Sequence, residues 1–147
     1  MKKYKFRLAS VLRVRRIQED QAKAAALLAN QRVALARTVL NARKDHYNSY
    51  VAQTAQQAAL MSSASDYLAF RAMQKLAAEG IAFAEVNLTV TEEVAEERRT
   101  EWVERRQKVQ TLERLDERRR EEHRVEADRE YAKEVDDIVV TQFRRQR

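Results

Sequence analysis

The sequence predicts an all-α protein: a long antiparallel two-helix coiled-coil hairpin with an overhanging C-terminal helix. Three observations carry this reading. The stretch from Asp66 to Phe143 contains one glycine, Gly80, no proline, and almost unbroken helix formers. A second stretch, from Leu12 to Thr54, repeats at spacings of three and four. Between them lies one credible break, Leu60-Met61-Ser62-Ser63-Ala64-Ser65-Asp66.

Taken as one helix, residues 66–143 span roughly 115 Å, far beyond the ~11 residues of an average helix. The apolar side of such a helix needs a partner of comparable length, and the first sixty residues supply it. The expected organisation is one coiled-coil domain over residues 1–147. Helix 1 covers about 8–60, a turn 61–65, and helix 2 about 66–143.

Residues 1–16 hold seven Lys/Arg and no acidic residue. With a formal net charge of +6, this segment carries the excess, read either as a solvated basic arm or as a docking surface for an acidic partner. From Leu12 the seam reads Arg15, Glu19, Ala22, Ala26, Ala29, Val33, Ala36, Leu40, Arg43, Tyr47, Tyr50 and Thr54. Its alanines permit a close helix approach, or leave room for a large residue opposite. At the break, Ser63 and Asp66 have capping-box spacing, and Ser65 is a rival N-cap.

A reversal near residue 63 makes facing residues sum to about 126. Gly80 then faces His46 and Tyr47, Trp102 faces Ala24, and Leu112 and Leu115 face Val11, Leu12 and Val14. On helix 2 the expected seam is Met73, Leu76, Gly80, Phe83, Asn87, Val90 and Val94. It resumes at Trp102, Val109 and Leu112 after an eight-residue step, a stutter. The first helix has nothing left to cover residues beyond about 118. Residues 119–143, with their dense alternating charges, therefore overhang for ~37 Å. Their uncovered apolar patch is Val135, Ile138, Val139 and Phe143.

The same composition excludes several functions. A charged fraction of 35%, aromatics at 7% and no proline describe a long-helix protein. A two-helix rod has a seam but no enclosed interior for an active site. One glycine cannot build a phosphate-binding loop, and no cysteine is present for disulfides or thiolate metal sites. His46 and His123 lie on different helices, far apart in this register. No catalytic residue, cofactor site or metal site is expected. No apolar run approaches the ~20 residues of a membrane span, so stable membrane insertion is not expected. Arg13, Arg15 and Arg16 interrupt any signal-peptide core. A basic segment joined to a coiled coil is also the layout of a basic zipper. Here the segment is short and apolar-rich, and nucleic acid is not the expected partner.

The opening Tyr4-Lys5-Phe6-Arg7-Leu8-Ala9-Ser10-Val11-Leu12-Arg13 resembles the start of the flagellar export protein FliJ family. So does the charged tail from Leu112-Glu113-Arg114 through Glu134-Val135-Asp136-Asp137-Ile138 to Phe143. The resemblance covers nearly the whole chain, and the stalk proteins of injectisome-type secretion systems are similar. It implies a non-enzymatic stalk that inserts its terminal end into a hexameric export ATPase and promotes ring assembly. It further implies a link to a membrane export gate protein, binding of export chaperones, and a place at the cytoplasmic face of the inner membrane. By position, the ATPase-facing residues would be Phe6, Leu8, Val11, Leu12, Arg13, Ile138, Phe143 and Arg144. The gate-facing residues would be Tyr47, Tyr50, Phe70 and Leu76. An injectisome stalk, a general coiled-coil scaffold and a nucleic-acid-binding coiled coil are the alternatives.

Overall fold

The computed structural model describes residues 3–57 and 63–145, the side chains of 140 and 142–145 excepted. It contains two helices, α1 (Ala9–Gln57) and α2 (Ala64–Arg145), packed antiparallel as a hairpin. Residues 58–62, which include the first three residues of the expected break, lie outside the described residues. The start of α2 is set by Ser63. Its hydroxyl accepts the Asp66 amide at 3.2 Å, and its carbonyl accepts the Tyr67 amide. Of the two serine caps open in the sequence, Ser63 is the one used. Asp66 in the first turn adds negative charge where the helix dipole favours it.

Two compact units divide the chain: residues 21–102, and residues 1–20 with 103–147. Within residues 21–102 the buried positions on α1 are Ala22, Ala26, Ala29, Ala36, Leu40 and Thr54, as the heptad requires. On α2 the seam differs from expectation by one residue. Ala84 and Ala95 are buried, and Phe70, Gln74, Ala77, Ile81, Leu88 and Thr91 are half-buried. Met73, Leu76, Phe83, Val90 and Val94 face outward instead, Phe83 at 71% exposure.

The physical reason is the alanine row on α1. Small side chains let two backbones approach closely, and the most buried α2 positions of this unit are alanines too, where the sequence reading placed large residues in the seam. The stutter disappears as well, since Ala95 precedes Trp102 by seven residues and the 3–4 spacing runs through. Trp102 is half-buried, and its expected partner Ala24 is exposed, with Ala22 and Ala26 facing in.

The pairing inside this unit is fixed by contacts. Arg37 pairs with Glu92 and Lys44 with Glu85, each at 2.8 Å. The Tyr50 and Phe70 rings lie 5.6 Å apart. Gly80 lies opposite Arg43, one helical turn from its expected place at His46 and Tyr47. The Arg43 guanidinium donates to the Gly80 carbonyl at 3.2 Å.

In the other unit, Leu12 and Val109 are buried, and Leu112 and Leu115 are half-buried. Val11 and Val14, expected in the seam with Leu12, are exposed. Arg16 pairs with Glu113 at 2.7 Å, and Arg105 donates to the Gln18 carbonyl at 3.3 Å. The segment ahead of α1 is not helical and lies against α2. Tyr4 contacts Asp116 and its ring meets that of His123 at 5.6 Å. These contacts bring residues ahead of α1 onto α2 as far as His123, past position 118, where cover by the first helix alone was expected to end.

Candidate functional site

The positive charge is localised. Residues 21–102 contain nine Lys/Arg and nine Asp/Glu, so the whole excess of +6 belongs to residues 1–20 and 103–147. In that unit the N-terminal segment is fastened by Tyr4. Its hydroxyl donates to the Asp116 carboxylate at 2.7 Å and approaches the Asp116 carbonyl at 3.2 Å. The Arg120 guanidinium sits 5.9 Å from the Tyr4 ring centre and pairs with Asp116. Partial burial, followed by the bond to Asp116 and its charge, raises the Tyr4 phenol above its ordinary 10, while Arg120 and Arg119 oppose the rise. Open grooves flank the segment. One is lined by Tyr4, Phe6, Leu12, Ile17 and Asp116, another by Phe6, Leu8, Leu115, His123 and Glu126.

The expected ATPase-facing residues separate on this scaffold. Leu8 and Val11 are 37% and 43% exposed, and Arg13 is exposed. Phe6 is half-buried, and Leu12 is 7% exposed, a seam residue. Ile138 is 58% exposed on α2, twelve residues beyond Glu126 in the groove of the N-terminal segment. Every described side chain from Asp128 to Val139 is exposed, including Val135 and Val139 of the expected apolar patch. The Phe143 and Arg144 side chains lie outside the described residues. Arg124 chelates Glu121 and Asp128 on the helix surface, which holds the Glu121 carboxyl below its usual range.

Of the expected gate-facing residues, three are tied into the seam. Tyr50 packs on Phe70, and the Tyr47 hydroxyl accepts Gln74 at 3.3 Å; all three expected residues are half-buried. Leu76 stands apart at 64% exposure. The sequence reading takes the outward row to which Leu76 belongs for the seam, because the row has the same 3–4 spacing as the true seam one residue away.

Among the described residues no group of His, Asp or Glu could hold a metal ion, and no helix is long and apolar enough to cross a membrane.

Fold and seam together define the chain as a single-chain antiparallel coiled-coil hairpin. It belongs to the FliJ family: the profile "Flagellar FliJ protein" matches residues 4–147. The fold is similar to that of a solved YscO homolog, CT670 from Chlamydia trachomatis. The two share 20% identity over 99% of each chain, with a TM-score of 0.53. No curated protein matches in sequence.

Proposed function

We propose that this chain is a non-enzymatic central stalk and chaperone of a flagellar type III protein export ATPase. In this reading it promotes assembly of the ATPase hexamer and couples the ring to the membrane export gate at the cytoplasmic face of the inner membrane. Export chaperones are further partners. Membership of the FliJ family over residues 4–147 is the observation that carries the proposal. The likeness to a YscO homolog keeps an injectisome stalk as the second reading.

The unit containing both chain ends supports an ATPase-facing role by its charge and its open apolar side chains. The Leu8, Val11 and Arg13 side chains are accessible, as is Ile138 on α2. Phe143 and Arg144 complete the proposed contact. Leu12 and Phe6 would act from beneath by holding the helices together. A ligand that touches several subunits favours the assembled ring by mass action. At the proposed gate patch, Leu76 would make the contact, and Tyr47, Tyr50 and Phe70 would fix the helices that present it.

The test is co-purification with the hexameric export ATPase of the same organism, followed by ATP turnover with and without this chain. Stimulation is expected, with none from a chain lacking residues 136–147, and it should weaken above ~0.15 M salt. A truncated chain that stimulates fully at equal concentration would overturn the placement of the contact.

A further inference from the structure

We infer that Tyr4 is a positioning residue whose clasp on Asp116 keeps residues 3–8 out of α1 and thereby keeps Leu8 displayed at the surface. The consequence for an ATPase rests on the function proposed above. The clasp itself stands on the geometry of residues 1–20 and 103–147.

The local sequence gives α1 no reason to begin at Ala9. Lys3-Tyr4-Lys5-Phe6-Arg7-Leu8 contains neither glycine nor proline. The Leu8 carbonyl accepts the Leu12 amide at 2.9 Å, so Leu8 is the N-cap, and leucine caps poorly. The first turn has no acidic residue, and the first carboxylate of the chain is Glu19. Lengthening a helix that already exists incurs no nucleation cost. The heptad row also continues backward. Counting four and then three residues from the buried Leu12 gives Leu8 and Lys5. Left to local preference, α1 would run back through this segment and carry Leu8 into the seam, one turn from Leu12.

The contacts with α2 oppose this. Tyr4 and Phe6 are half-buried, and Lys3, Lys5 and Arg7 are exposed. That period of two belongs to an extended chain and not to a helix. The one main-chain bond within the segment's turn is local, from the Ala9 amide to the Phe6 carbonyl at 3.3 Å. The hold on α2 comes from side chains. The Tyr4 hydroxyl donates to the Asp116 carboxylate at 2.7 Å, and its ring meets His123 edge-on and lies near Arg120. A hydrogen bond to a carboxylate is among the stronger ones, and near a chain end a single anchor decides the path. With Tyr4 seated, Leu8 is left at the turn, 37% exposed.

Carbon-13 backbone shifts of the full chain test the clasp without any partner. Residues 5–8 should be non-helical in the wild type and helical in Tyr4→Ala. Ala9 is the first helical residue, where proline is favoured, and a proline there drives Leu8 out of the helical region. Adding Ala9→Pro to Tyr4→Ala should therefore return residues 5–8 to non-helical shifts. With the hexameric export ATPase, Tyr4→Ala should raise the concentration for half-maximal stimulation about 10-fold, because fewer chains display Leu8. Ala9→Pro in the same chain should recover most of that loss, which no purely structural role for Tyr4 would allow. Residues 5–8 that stay non-helical in Tyr4→Ala overturn the inference. A Tyr4→Ala chain that turns helical yet stimulates like the wild type overturns the role in display. If the wild-type chain itself does not stimulate, the proposed function fails and the shifts alone decide the clasp.

Discussion

The Tyr4 hydroxyl donates to the Asp116 carboxylate at 2.7 Å, joining a non-helical segment ahead of α1 to the middle of α2. The bond needs a protonated phenol. Raised in the folded chain, the Tyr4 proton is held more tightly than in the unfolded one. The stability it contributes is complete below pH 10 and lost as pH rises through the raised value. An absorbance titration should show a late step, above pH 10, from Tyr4. Tyr4→Phe should remove that late step and flatten the alkaline loss of stability. A titration identical in the variant would exclude Tyr4 as its source.

Ala84 is 4% exposed in the seam, whereas Ala82 is exposed. Ala84→Leu should destabilise by about 1–3 kcal/mol through overpacking. Ala82→Leu should change stability by less than ~0.5 kcal/mol. Denaturant unfolding of the two variants measures this. Equal effects would mean that the seam lies elsewhere on α2.

Gly80 sits inside a helix without a positive φ. A methyl group there would meet the Arg43 Nη1 atom at 2.7 Å, the far end of a flexible side chain that can swing aside. Gly80→Ala gains up to ~1 kcal/mol of helix propensity and loses one exposed hydrogen bond. A net rise in Tm is expected by calorimetry, and a fall would show that the Arg43–Gly80 contact outweighs propensity.

The cross-helix ion pairs of residues 21–102 are exposed, with side chains between 45% and 61% accessible. Each should contribute no more than ~1 kcal/mol. Arg37→Glu with Lys44→Glu places like charges together and should lower Tm by a few degrees in dilute buffer. Most of that loss should vanish near 1 M salt, where the screening length is ~3 Å. A loss that persists in salt would locate the effect in packing.

Trp102 is half-buried, which lowers the cost expected of its removal. Trp102→Ala should destabilise by about 1–3 kcal/mol, below the ~3–5 kcal/mol of a fully buried tryptophan. Native emission should fall between that of buried and water-exposed indole. A larger loss in denaturant unfolding would mean full burial.

Much of the architecture follows from local sequence. Helix formers without proline make both helices, and Ser63 caps the second because its hydroxyl can reach the Asp66 amide. The row from Leu12 to Thr54 names most of the α1 seam, since heptad spacing on one helix requires no knowledge of the other. The candidate contact residues were legible only in part. Leu8, Val11 and Ile138 read as apolar and are open, and Leu12 and Tyr50 stand in the heptad row, but the packing of Tyr50 on Phe70 depends on the opposite helix.

Two features were decided by tertiary structure alone. On α2 the rows starting at Met73 and at Gln74 have the same spacing and differ by one residue, or ~100° of rotation. Local sequence ranks the first higher because it is more hydrophobic. The alanines of α1 reverse that order, because a close backbone approach admits Ala77, Ala84 and Ala95 and turns Phe83 outward. The second is the reach of the N-terminal segment. Its path to Asp116 and His123 rests on contacts more than a hundred residues apart in sequence, and no local propensity encodes those.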